Sequence, residues 1–149
     1  MKAIVIYSSQ TGRTKLIAQA IASGLPEGTP CVSVDHMPED LTAYDLVFFG
    51  FWIEKNDTDE KGKAALEKIC HPRVAIFATL YDDPYSDEAS KRLRNAVELL
   101  KHGSGVVGTY ITWTDHTFYM EEPEEKADYL KLDQAQAFAE DTFARVANS

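Results

Sequence analysis

Ser8-Ser9-Gln10-Thr11-Gly12-Arg13-Thr14 is the stretch that decides how this chain folds. Ahead of it, Ala3-Ile4-Val5-Ile6-Tyr7 is an apolar run of the kind found in buried strands. Behind it, Leu16-Ile17-Ala18-Gln19-Ala20-Ile21 has the spacing of a helix. A hydroxyl-rich turn between strand and helix is an anion site. The first amide N–H groups of a helix have no partner within it, and they lie at the positive end of its dipole. Ser9, Thr11 and Thr14 each add a hydroxyl donor, and Gly12 lets the backbone approach a ligand without a Cβ in the way. A plain N-cap needs one hydroxyl; this turn offers several, which favours a phosphate.

Outward from that turn the chain alternates strand and helix. The first strand is Lys2 to Tyr7, and the first helix starts near Gly12, buries Leu16, Ile17, Ala20 and Ile21, and stops at Ser23-Gly24-Leu25-Pro26. A second strand, Cys31 to Val34, leads into a polar connection from Asp35 to Thr42. Leu46-Val47-Phe48-Phe49-Gly50-Phe51 is the most apolar run, as expected of a central parallel strand covered on both faces. Trp52 to Asp57 reads as a loop, and Asp57-Thr58-Asp59-Glu60 as the capped, acidic start of a helix carrying Ala64, Ala65, Leu66 and Ile69. The fourth strand is Arg73 to Thr79, followed by a loop from Leu80 to Tyr85. Ser86-Asp87-Glu88 opens a helix with Ala89, Leu93, Ala96, Val97 and Leu100 on its inner face, ended by Lys101-His102-Gly103. The fifth strand is Gly105 to about Thr114; a loop follows from Asp115 to Met120, and Pro123 starts a last helix with Leu132, Ala135, Ala139, Phe143 and Val146 along one side.

This alternation predicts one α/β domain over residues 1–149: a three-layer α/β/α sandwich around a five-stranded parallel sheet. The spacing Ser9-x-Thr11-Gly12-x-Thr14 resembles the phosphate loop of the flavodoxin family, Ser/Thr-x-Thr-Gly-x-Thr, which wraps the phosphate of flavin mononucleotide (FMN). The Lys-Ser/Thr ending of a nucleotide-triphosphate loop and the three-glycine dinucleotide pattern are both missing. The resemblance implies a flavodoxin-like sheet of order 2-1-3-4-5, with the ligand beyond the C-terminal ends of strands one and three, where the order reverses. Flavodoxins are themselves an example of that rule. Arg13 stands where the family often has Asn, either to pair with the phosphate or to lie along the surface.

The rule also says which other loops matter. The third strand ends in Gly50-Phe51-Trp52-Ile53, and the loop after the fourth holds Tyr81-Asp82-Asp83-Pro84-Tyr85. Aromatics therefore stand where a flat ring would need walls, and such stacking is worth about 0.5–1.5 kcal/mol beyond area burial. The Asp82-x-x-Tyr85 spacing resembles the family's Gly-Asp-x-x-Tyr, with Tyr81 in place of the glycine. The resemblance thus implies FMN as cofactor, with Ser9, Gln10, Thr11, Gly12, Arg13 and Thr14 around the phosphate. Phe51, Trp52, Ile53, Thr79, Leu80, Tyr81, Asp82 and Tyr85 would stand around the ring. Either Tyr81 or Tyr85 would face the ring, and Trp52 either stacks on it or packs inward.

The composition narrows the function further. A net charge of −9 disfavours nucleic acid; it suits docking to basic protein surfaces, but taken alone it fits plain solubility better. No apolar run approaches the about 20 residues that span a bilayer, and strand-like sequence begins at once, so a cytoplasmic address without a signal peptide is expected. Cys31 and Cys70 have no metal or redox spacing and read as idle thiols. His36, His71, His102 and His116 read as surface residues, and no catalytic triad or metal cluster presents itself. The chemistry is then left to the flavin. The leading expectation is an electron carrier between protein redox partners. An FMN-dependent oxidoreductase, acting on a small acceptor or serving as one component of a reductase, and a flavin-free binding domain of the same fold, are the alternatives.

Overall fold

In a computed structural model, which describes residues 1–9, 12–54, 57–80, 87–100, 103–113 and 132–149, the expected alternation is present. In chain order the elements are β1 (Ala3–Tyr7), α1 (Arg13–Ser23), β2 (Cys31–Ser33), β3 (Leu46–Glu54), β4 (Asp57–Thr58), α2 (Glu60–Leu66), β5 (Val74–Leu80), α3 (Asp87–Val97), β6 (Val106–Trp113) and α4 (Leu132–Ala147). A single 3-10 turn, Val34–His36, follows β2. Five strands pair in parallel in the order β2-β1-β3-β5-β6, which is 2-1-3-4-5 when only the parallel strands are counted. The start expected for the last helix at Pro123 lies outside the described residues.

Alternation along the central strands sorts the core into two layers. Val47, Phe49, Phe51 and Ile53 of β3 pack with Ile76, Ala78 and Leu80 of β5 and with Ala65, Leu66, Ala89 and Ala96 of α2 and α3. Leu46 and Phe48 turn the other way, with Phe77, toward Ile17, Ala18 and Ile21 of α1 and Ala135 and Ala139 of α4. Phe138 of α4 stacks on Tyr110 at 5.3 Å and meets Phe48 edge-on at 5.9 Å. Phe48, Phe49, Phe51 and Phe77 are fully buried, and burying each such side chain stabilises the fold by about 1.5–3 kcal/mol.

Two expectations are corrected. Trp52 to Asp57 is not a loop: β3 runs on to Glu54 and turns back, so that Ile53 faces Thr58 and Glu54 faces Asp57 in an antiparallel pair. The ladder runs past Phe51 because Thr79 of β5 pairs with Trp52 and β4 supplies partners for Ile53 and Glu54. His71 is not a surface residue either. It is 4% exposed; its Nε2 lies 2.7 Å from the Tyr44 carbonyl and its Nδ1 accepts the Arg73 N–H at 3.0 Å. A carbonyl can only accept, so Nε2 carries the proton and the imidazole is neutral. This histidine joins the N-terminal ends of β3 and β5, opposite the switch point.

Candidate functional site

The site is built where β1 and β3 end side by side. The Ser8 N–H donates to the Gly50 carbonyl at 2.9 Å, which carries the β1–β3 pairing past Tyr7. The chain then turns into α1 through Gly12, whose φ of 90° is left-handed and suits glycine. The Gly12 N–H donates to Ser9 Oγ at 3.0 Å, leaving the Ser9 hydroxyl proton to point elsewhere. The first hydrogen bond within the helix runs from the Leu16 N–H to the Gly12 carbonyl at 3.0 Å. The Thr14 and Lys15 amides precede it, so the helix supplies them no acceptor, and the N-terminus carries no side-chain cap among the described residues.

The charge pattern of this turn is inverted. Helix starts favour Asp and Glu, because their charge opposes the dipole. Here the first turn has no acid and holds Arg13 and Lys15. Arg13 does not lie along the surface: it is 3% exposed.

A second layer supports the turn. Thr14 reaches across to β5, where its Oγ1 stands 2.9 Å from Thr79 Oγ1. In register, Thr79 faces Trp52 on one side and Thr112 on the other. Trp52 thus lies on the α1 face of the sheet, half-buried beside the first turn of the helix. Phe51, Ile53 and Leu80 point to the opposite face and are buried in the α2–α3 core, so their side chains do not face a ligand on the α1 side. Gln10, Thr11, Tyr81, Asp82 and Tyr85 lie outside the described residues.

One residue of the site was read from sequence only as part of a helix cap. Asp59 caps α2, accepting the Gly62 N–H at 2.9 Å, and it is 3% exposed. The same carboxylate accepts the Trp52 N–H at 3.2 Å and the Ser8 hydroxyl in a short buried bond. It thereby joins the end of β1 to the end of β3. Its place in Asp57-Thr58-Asp59-Glu60 was a signal for the cap; nothing local pointed to Ser8. Among the described residues no group of three or more His, Cys, Asp or Glu could hold a metal ion.

A parallel sheet that reverses its order here, with a helix start above the switch point, is a geometry shared by several families. The family model described as a flavodoxin domain matches residues 4–145. The chain belongs to the flavodoxin family. A flavodoxin-like domain-containing protein, BilS of Clostridioides difficile (strain CD3), is 29% identical over 114 residues, 74% of this chain. The match spans 65% of that relative's length, just under two thirds. A Streptococcus pneumonia TIGR4 flavodoxin structure superposes with a TM-score of 0.65 at 17% identity, over 97% of this chain and 99% of that one. A Lactobacillus acidophilus flavoprotein solved in complex with FMN gives a TM-score of 0.56 at 16% identity, over 87% of this chain and 98% of that one. At these identities the two structures establish the shared flavodoxin fold. No helix among the described residues is long and apolar enough to cross a membrane.

Proposed function

We propose that this flavodoxin-family chain binds FMN, with the phosphate at the start of α1, and carries electrons between protein partners. The observation that supports it most is the inverted charge of that first turn: Arg13 and Lys15, no carboxylate, in a chain whose net charge is −9. The Thr14 and Lys15 N–H groups have no acceptor within the helix and the Ser9 hydroxyl keeps its proton, so a phosphate at the start of α1 would meet donors. Trp52, half-buried on the α1 face, stands where an aromatic head group would need an apolar wall.

FMN, when bound, would supply one-electron chemistry. The protein's part is to hold the phosphate, to exclude water beside Trp52 and to surround the site with negative charge. Reduced flavin is more anionic than oxidised flavin, so acidic surroundings disfavour reduction and lower the potential. The same charge steers the chain toward partners with basic docking faces.

Titration of the flavin-free protein with FMN, followed by flavin fluorescence, tests the binding; saturable quenching by FMN is expected. Reductive titration of the loaded protein tests the role, and two separate one-electron steps are expected. Turnover of a small acceptor with a nicotinamide donor and no second protein would make the chain an oxidoreductase. Failure to bind any flavin would make it a binding domain of the same fold.

A further inference from the structure

The two buried hydroxyls of Thr14 and Thr79, 65 positions apart in sequence and 2.9 Å apart in space, have two protons between them. Their mutual hydrogen bond uses one. Thr14 is 2% exposed and Thr79 3%, and among the described residues neither hydroxyl has another partner. Among the described residues the second proton has no acceptor, and an anion at the start of α1 would supply one.

The surroundings decide which hydroxyl holds it. Thr79 sits inside the sheet, flanked in register by Trp52 and Thr112 and covered by Thr14. Thr14 sits in the first turn of α1, two residues past Gly12, where the first amides have no acceptor within the helix. An anion bound at the first turn of α1 would meet Thr14, which belongs to that turn, before Thr79, which lies in β5. For Thr14 to donate to the anion, it must accept from Thr79. A bound anion would thus set the direction of the pair, and each bond in such a chain strengthens the next.

We propose that Thr79 is a positioning residue for phosphate: it orients the Thr14 hydroxyl toward the anion and so sets the preference for a phosphorylated flavin over the same flavin without phosphate. This rests on the FMN reading above, and it moves Thr79 from the ring, where the family resemblance put it, to the support of the phosphate.

Thr79→Val removes the hydroxyl and keeps the branched shape; Thr79→Ser keeps the hydroxyl; Thr79→Ala replaces the valine variant should valine prevent folding. The measurement is the affinity of each protein for FMN and for riboflavin, by fluorescence quenching, beside its urea midpoint. Thr79→Val (or Ala) is expected to lower the FMN-over-riboflavin preference about tenfold, the scale of one hydrogen bond to a charged group, while Thr79→Ser restores it. An unchanged preference, or an equal loss for both flavins, overturns the role of Thr79 and leaves the FMN reading standing. If the unaltered protein binds neither flavin, both fall.

Discussion

The Ser8 hydroxyl donates to the Asp59 carboxylate across 51 positions of sequence, and both side chains are buried. This bond ties the segment that enters the turn before α1 to the hairpin that carries Trp52. Asp59→Ala removes the α2 cap and leaves the Ser8 hydroxyl buried without its acceptor. The two losses together are expected to cost about 2–4 kcal/mol of stability, read from urea unfolding. Ser8→Ala should cost less, because the carboxylate keeps its two backbone donors. Equal losses in the two variants would mean that the cap contributes nothing.

Gly62 gives a sign test of the same cluster. In an exposed helix interior, glycine to alanine gains about 1 kcal/mol. Here a Cβ would stand 2.8 Å from Asp59 Oδ1 and 3.1 Å from Phe51 Cβ. Gly62→Ala is therefore expected to lower the melting temperature, and a rise would show that Asp59 can move aside without loss.

Gly50 is held by its neighbour on β5. A Cβ there would fall 1.9 Å from the Phe77 ring, which lies over the glycine in register. Overpacking costs about 1–3 kcal/mol, and Gly50→Ala should lose at least that much. Adding Phe77→Leu should recover part of the loss. Independent, additive effects in a double-mutant cycle would contradict the contact.

Burial raises the Cys31 thiol from its ordinary value of 9.0 to about 11, with the Lys15 charge opposing more weakly. Burial, and then Cys31 itself, raises the Tyr7 phenol too. The folded chain keeps the Cys31 proton longer than the unfolded chain does. Its stabilising contribution is thus whole below a pH of about 9 and lost as the pH rises toward about 11. Urea midpoints across that window should fall less steeply in Cys31→Ala. With iodoacetamide, exposed Cys70 should react well before half-buried Cys31.

What the amino-acid order determined alone was whatever depends on neighbours in the chain. The apolar runs of β1, β3 and β5, the helical stripes of α1 and α4, and the hydroxyl turn at Ser9 to Thr14 all have local signatures. Period and turn chemistry act within a few residues. Right-handed crossovers left few topologies, and the resemblance of the Ser9 to Thr14 turn to the flavodoxin phosphate loop supplied the sheet order without a contact in hand.

The tertiary structure decided what depends on partners far away. Trp52 to Glu54 became strand because Asp57 and Thr58 fold back on it, and His71 went inside because the Tyr44 carbonyl and the Arg73 N–H satisfy both its nitrogens. Asp59 found Ser8, and Thr14 found Thr79, only once the sheet had brought the strand ends together. A buried polar group is tolerated where its partner is, and that partner's position is a property of the fold rather than of the adjacent residues.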